Sequence, residues 1–180
     1  EPYLPYSPPA MADHFINGSN LHLWRDRHWP KQWGVDYRKG VEVARIEPGA
    51  HRLQLKDGRT IKYDRLVIAT GSRLYAPIEG SNMQGVRNFK SLSAAEAIVA
   101  QVKSGKAKTA IIVGAGFIGM EIALLLRELG VKVTQIEMLD QVMATMLDKD
   151  TAAVALDLMR KRGVNVRLKT KAKAFVGKRK

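Results

Sequence analysis

The sequence predicts an α/β protein in which an antiparallel β-meander precedes a domain built on a parallel sheet, and three patterns lead to that expectation. Short alternating segments separated by turn residues follow Val41, as is typical of a meander. The apolar run at residues 110–113 leads into a glycine-rich turn and a helical pattern. A second alternating segment then closes with Glu137. Strand, turn, helix and strand in this order indicate a Rossmann-type, doubly wound domain.

The chain before residue 86 is expected to contain mainly short elements. Residues 1–10 hold four prolines and predict an extended loop, and residues 11–16 predict a helical turn closed by Asn17 and Gly18. The three strands of the meander are predicted at residues 41–46, 51–55 and 60–63. The apolar run at 66–69 predicts a buried strand that ends in Thr70, Gly71 and Ser72.

After residue 86 the pattern alternates between helices and strands. A helix running to about Val102 is predicted to be capped by Ser91 or by Ser93, and Glu96 gives Ser93 the spacing of a capping box. The later elements are a strand at 110–113, a helix at 121–129 ended by Gly130, a strand at 131–136, a helix at 151–162 ended by Gly163 and a strand at 164–168.

The turn after the strand at 110–113 has the G-x-G-x-x-G spacing of a dinucleotide site. The first glycine permits the tight turn, the second leaves room for a pyrophosphate, and the third allows close packing of helix on strand. The predicted binding loop comprises Gly114, Ala115, Gly116, Phe117, Ile118 and Gly119. The alternative is a glycine-rich turn that binds nothing.

Glu137 supports the binding interpretation. It follows Gly114 by 23 positions, close to the offset of roughly 20 at which a carboxylate binds the adenosine ribose of NAD. An arginine is the more frequent residue in an NADP site, so we expect NADH to be preferred over NADPH.

Composition excludes several classes of function. The 180 residues contain no cysteine, so this chain has no disulfide, thiolate nucleophile or cysteine-bound metal. Residues 21–33 hold all three tryptophans and two histidines without a metal-ligand spacing, and no metal site is predicted. No signal segment or membrane span is recognisable, and we expect a cytoplasmic protein.

The net charge of +13 is concentrated at one end of the sequence. Residues 160–180 contain ten basic residues and no acidic ones, which leaves +3 for the remainder. Such a block attracts polyanions without sequence specificity. We therefore expect no specific nucleic-acid function.

Two motifs together carry a family resemblance: residues 63–71 (YDRLVIATG) and residues 114–121 (GAGFIGME). The pair resembles the pyridine-nucleotide-dependent flavoprotein oxidoreductases. The opening residues 4–10 (LPYSPPA) look like the flavin-side loop of rubredoxin and ferredoxin reductases and of assimilatory nitrite reductases. The resemblance implies a partial FAD-binding domain at 1–85 and an NAD(P)-binding domain at 86–180. It also implies hydride transfer from NADH to FAD and electron delivery to a redox protein, a nitrite-reductase centre or a small-molecule acceptor. A homodimer is compatible with the resemblance.

The resemblance also assigns roles to individual residues. Ala69, Thr70 and Gly71 would line the FAD path, Arg73 would meet the FAD phosphates, and the backbone of Val43 would face the adenine. Glu121 resembles the acid that reaches toward the nicotinamide and the flavin, which makes it the candidate catalytic residue. The alternatives are a core position for Val43, a solvated charge for Arg73 and a first-turn acid favoured by the helix dipole for Glu121.

Three departures from the family pattern limit the resemblance. Thiol chemistry is excluded because cysteine is absent, and Pro8 and Asp13 stand where basic residues are common. A glycine motif for FAD is missing before residue 63. We therefore expect a fragment that is inactive by itself. The competing interpretations are an NAD-dependent dehydrogenase without flavin, and a non-catalytic dinucleotide-binding module with a basic tail that attracts polyanions.

Overall fold

A computed structural model describes residues 1–22, 28–72 and 76–177. Within these ranges the helices are α1 (Met11–Asn17), α2 (Trp29–Gln32), α3 (Leu92–Lys103), α4 (Phe117–Glu128) and α5 (Lys149–Lys161). The strands are β1 (Val43–Glu47), β2 (Arg52–Leu55), β3 (Thr60–Lys62), β4 (Thr109–Val113), β5 (Lys132–Ile136) and β6 (Asn165–Arg167). The chain divides into two compact units, residues 1–7 with 22–73, and residues 8–21 with 74–180. The domain boundary at residue 85 stays a prediction.

The first unit contains the predicted meander. Strands β1, β2 and β3 pair antiparallel in that order, with a register shift between Val43 and Arg45. Pro48–Ala50 form a 3-10 turn between β1 and β2, and the stacked rings of His51 and Tyr63 lie 5.6 Å apart. The antiparallel hairpin order predicted from the turn residues is therefore confirmed.

The second unit carries a parallel sheet in the order β4-β5-β6. Its core consists of apolar side chains from α4, α5, β5, β6 and the loops beside them; the most deeply buried are Ala115, Ala123, Val131, Val142 and Ala152. Helix α1 ends at Gly18, which has a φ of 73°, and α5 is followed by Gly163 with a φ of 80°. These helix ends agree with the glycine stop signals in the sequence.

Two predicted strands are less buried than their apolar sequences suggested. The prediction of a buried strand at residues 66–69 is wrong. These residues have no strand pairing among the described residues, and Val67 and Ile68 are 85% and 67% exposed. An extended apolar run becomes a buried strand only when neighbouring strands satisfy its backbone. Strand β4 forms as predicted, but it is an edge strand of the described sheet and Ile111 is 71% exposed. The helices cover the opposite face, where alternate residues of β5 and β6 are buried.

The structure corrects one helix start and decides between two predicted caps of another helix. Helix α4 begins at Phe117, four residues before the predicted start at Glu121. Helix α3 is capped by Ser91, whose hydroxyl accepts from the N–H of Ala94 at 3.3 Å. Ser93 lies inside α3, so the capping box built on it is wrong.

No helix of the described residues is both long enough and apolar enough to cross a bilayer. Residues 23–27, which include Trp24 and Asp26 of the tryptophan-rich segment, lie outside the described residues, as does Arg73.

Candidate functional site

The connection between β4 and α4 is a tight turn that depends on glycine at its first position. Gly114 has a φ of 102°, in the region that residues with a Cβ rarely adopt. Its N–H donates to the carbonyl of Ile136 on β5 at 2.8 Å. The turn is therefore attached to the end of the neighbouring strand.

Gly119 lies on the first turn of α4, where the helix passes very close to this turn. A Cβ at residue 119 would come within 3.0 Å of the Gly114 carbonyl oxygen, a separation that real Cβ atoms essentially never show. It would also lie 3.1 Å from Nε2 of Gln135. The missing side chain thus allows α4 to start directly against the end of β4.

Gly116 differs from the other two glycines because the fold gives no reason for it. It is the N-cap of α4, with a φ of −78° and a ψ of −179° that any residue can adopt. A Cβ at this position would meet nothing within 4 Å. Open space over bare backbone is what the close approach of a pyrophosphate requires.

The start of α4 is suited to an anion. The first N–H groups of a helix have no carbonyl partner within the helix, and Gly116 supplies no side-chain cap. No acidic residue lies in the first turn of α4, and Phe117 and Ile118 are 52% and 61% exposed. The positive end of the helix dipole therefore faces open space.

Glu121 lies in the second turn of α4, so its interpretation as a first-turn acid is wrong. The residue is partly buried, and this burial raises the pKa of its carboxyl above the ordinary value. The shift comes from desolvation of the charged form. Its predicted role beside the nicotinamide stays a prediction.

Glu137 follows β5 directly and its carboxylate lies against the glycine turn. One oxygen, Oε2, accepts from the N–H of Ala115 at 2.7 Å, and the other, Oε1, accepts from the N–H of Leu139 at 3.0 Å. A carboxylate oxygen can accept more than one hydrogen bond. Both oxygens therefore keep acceptor capacity for a hydroxyl group.

Gln135 also contacts the turn, and the sequence prediction did not include it. Its side chain is fully buried on β5, and Nε2 donates to the carbonyl oxygen of Gly114 at 2.9 Å. A signal was present in the sequence: Val131, Val133 and Gln135 share one face of an alternating strand, and an amide in an apolar row is unusual.

The residues predicted to bind FAD are not brought into an enclosed site within the part of the chain that the structure describes. Val43 is 46% exposed on β1, so the alternative that placed it in the core is wrong. Ala69, Thr70 and Gly71 form an exposed segment without regular secondary structure, and Gly71 has a φ of 70°. Their predicted contacts with FAD stay predictions.

Comparison with known proteins identifies the family. Residues 7–180 match the sequence profile of the family described as pyridine nucleotide-disulphide oxidoreductase. The chain belongs to this family. Rhodocoxin reductase of Rhodococcus erythropolis is 33% identical over 184 aligned positions, which cover 97% of this chain and 42% of the relative. An NADH oxidase of Methanocaldococcus jannaschii is 36% identical over 190 aligned positions, which cover all of this chain and 42% of the relative.

Solved structures share the fold of this pyridine nucleotide-disulphide oxidoreductase chain. An NAD-dependent persulfide reductase from A. fulgidus superposes with a TM-score of 0.85 at 30% identity, over 99% of this chain and 35% of that one. The reductase in a covalent putidaredoxin reductase–putidaredoxin complex superposes with a TM-score of 0.79 at 25% identity, over 97% and 43%. The chain spans about 42% of the length of the curated relatives it matches. The predicted α/β class and the predicted family are both confirmed.

Proposed function

We propose that the protein is an NAD(P)H-dependent flavoprotein oxidoreductase that passes a hydride from NADH to FAD and then delivers electrons to an acceptor. The single observation that carries the proposal is Gly116, a glycine that the fold does not need, placed over open space at the start of α4. Family membership supports the same function, since the relatives reported above are named as reductases and an NADH oxidase.

The described residues fit a dinucleotide. The loop from Gly114 to Gly119 would hold the pyrophosphate, with Ala115, Phe117 and Ile118 around it, and Glu137 would bind the adenosine ribose. When bound, nicotinamide and flavin supply the hydride-transfer chemistry, while the protein binds, orients and shields them. We propose that Glu121 lies on the nicotinamide side, where its partly buried carboxyl keeps a proton to a higher pH than a solvated glutamate does.

The flavin part of the proposal depends on the family and on the motif at residues 63–71. Val43 and residues 69–71 are exposed and supply only part of any FAD site. We propose that they contact FAD together with Arg73, and we derive no step of the reaction from them.

A preference for NADH is part of the proposal because of the charge on Glu137. The carboxylate is held in place by two backbone N–H groups, those of Ala115 and Leu139. A fixed negative charge would repel the 2′-phosphate of NADPH. Comparing the dissociation constants of NADH and NADPH for the native chain tests this preference, and equal constants would contradict it.

A redox protein is the acceptor that we propose. One structural relative is described in a covalent complex with putidaredoxin, and rhodocoxin reductase is named for the protein it reduces. The chain has no cysteine, so none of its residues can relay electrons through a thiol. A small-molecule acceptor is the alternative that the NADH oxidase relative suggests.

Calorimetric titration with NADH tests the nucleotide site. We expect the native chain to bind NADH and the Gly116→Val variant to bind it at least about tenfold more weakly, because the new side chain would occupy the pyrophosphate position. Circular dichroism should show that the variant stays folded, since the fold leaves this position open. Unchanged affinity in a folded variant would overturn the assignment of the site.

The redox part of the proposal needs its own measurement. We expect the protein purified with its full natural polypeptide to show a flavin absorption band that bleaches when NADH is added without oxygen. Binding of NADH without any flavin band would instead favour a non-catalytic dinucleotide-binding module.

A further inference from the structure

Gln135 and Glu137 lie two residues apart at the end of β5 and therefore on the same face of that strand. Both side chains reach the same peptide group of the glycine turn. Gln135 donates through Nε2 to the carbonyl oxygen of Gly114 at 2.9 Å, and Glu137 accepts through Oε2 from the N–H of Ala115 at 2.7 Å. The Gly114–Ala115 peptide is thus held at its oxygen by one side chain and at its nitrogen by the other.

We propose that Gln135 is a positioning residue that, with Glu137, clamps the Gly114–Ala115 peptide and keeps the turn ready to receive the dinucleotide pyrophosphate. This proposal depends on the proposed function, since it concerns the same site. Gln135 does not itself touch the ligand: it is buried beneath the turn and acts through the Gly114 carbonyl.

The clamp and the neighbouring backbone hydrogen bonds together determine which backbone groups of the turn are available to an anion. The Gly114 carbonyl accepts from Gln135, the Ala115 carbonyl accepts from the N–H of Met143 at 2.8 Å, and the Gly116 carbonyl accepts from the N–H of Met120 at 3.0 Å. Three successive carbonyl oxygens are therefore occupied within the protein. The N–H groups at the start of α4 remain for the ligand.

Packing around Gln135 does not by itself account for an amide at this position. Its Oε1 is buried and has no hydrogen-bond partner among the described residues, an arrangement that is unfavourable in a protein interior. An apolar residue at this position would avoid the unsatisfied oxygen. Gly119 makes room for the arrangement, because a Cβ there would press on both the Gly114 oxygen and the Gln135 amide.

The test compares two substitutions on the same face of β5. Gln135→Met keeps the length of the side chain but removes the donor, whereas Val133→Ala removes buried apolar volume two residues earlier and leaves the clamp intact. We expect Gln135→Met to weaken NADH binding about fivefold, the effect of losing one ordinary hydrogen bond, and Val133→Ala to leave the affinity within about twofold. Equal affinities of the two variants, measured by calorimetry, would overturn the proposal.

A second readout needs no ligand. The N–H of Ala115 belongs to the clamped peptide and is bonded to Glu137, and the neighbouring N–H of Gly114 is bonded to Ile136, so their hydrogen exchange reports on how firmly the turn is held. We expect Gln135→Met to speed exchange at Gly114 and Ala115 more than exchange in β6. Val133→Ala should change exchange in the turn and in β6 by similar factors. If the native chain fails to bind NADH, the proposed function fails while this measurement still tests the clamp. Unchanged exchange at Gly114 and Ala115 in the Gln135→Met variant would refute the clamp proposal.

Discussion

Substituting alanine for Gly119 tests whether α4 packs against the Gly114 carbonyl too closely to admit a side chain. The added Cβ would come within 3.0 Å of the Gly114 carbonyl oxygen. That oxygen cannot move freely, because Gly114 is fixed at a φ of 102° and its carbonyl is bonded to Gln135. Either α4 shifts outward or the hydrogen bond breaks.

Either outcome lowers the free energy of unfolding, and the size of the effect can be estimated. Forcing a methyl group into a packed site costs about 1–3 kcal/mol, and replacing glycine by alanine in a helix returns up to about 1 kcal/mol. Because the clash is with backbone atoms, the upper end of the first range applies, and after the gain in helix propensity we expect Gly119→Ala to lower the free energy of unfolding by about 2 kcal/mol. For a chain of this size that corresponds to a fall of about 4–8 °C in the unfolding midpoint.

Gly116→Ala is the matched control, since it adds the same methyl group three residues earlier. The position is open and the backbone is ordinary, so thermal unfolding followed by circular dichroism should show a loss of only about 0.5–1 kcal/mol, the difference between glycine and alanine at an N-cap. A Gly119→Ala variant as stable as this control would refute the packing argument. In an NADH titration the Gly116 substitution is also expected to lower the affinity, because its methyl group enters the open space over the turn.

Three further predictions concern stability. Burial raises the pKa of Glu121, so the folded state binds its proton more tightly than the unfolded state does. Glu121→Gln should therefore raise the free energy of unfolding near pH 7. In urea unfolding this increase should become smaller as the pH drops toward 4.5 and below. Asp148 caps α5 and accepts from Thr151, which lowers the pKa of its carboxyl. Asp148→Asn should therefore destabilise the protein near pH 7, and in acid titrations the difference should shrink as the pH falls below 3.8 and vanish only below the lowered pKa of the folded state. Ser91→Ala should cost about 1 kcal/mol in thermal unfolding and Ser93→Ala clearly less, because Ser91 is the N-cap.

The parts of the fold that follow from local sequence were predictable. Glycine spacing placed the turn between β4 and α4, and the alternation of residues 131–136 placed β5, because backbone conformation and face burial are encoded within a few residues. The start of α4 was missed because Gly119 lies in its first turn and a glycine lowers helix propensity.

The features that depend on distant partners were not predictable in the same way. Residues 66–69 have the composition of a buried strand, yet pairing requires neighbours that no local pattern specifies. The choice of Ser91 over Ser93 as the N-cap depends on the extended backbone at Ser91, with a ψ of 155°. The contact between Gln135 and Gly114 joins residues 21 positions apart, and only the polar residue in an apolar row hinted at it.

Glu137 has one observed role, holding the glycine turn, and one proposed role, binding the ribose. Its position after β5 suggested a ribose-binding acid, and the structure adds that it holds the N–H of Ala115. Removing the residue would change both roles together, so a loss of NADH binding alone would not distinguish them. A substitution that keeps an acceptor oxygen but removes the charge can distinguish the two roles.

Glu137→Gln is that substitution: the amide oxygen can still accept from Ala115 while the negative charge is lost, and the loss of the second acceptor, which serves Leu139, affects both nucleotides alike. If the charge sets the cofactor preference, the ratio of the NADPH to the NADH dissociation constant should fall at least about tenfold, which corresponds to about 1.4 kcal/mol. Asp140→Asn removes another carboxylate three residues later and should leave the ratio unchanged. A Glu137→Gln variant that loses affinity for both nucleotides by the same factor would show that the residue only holds the backbone. The preference for NADH would then need another cause.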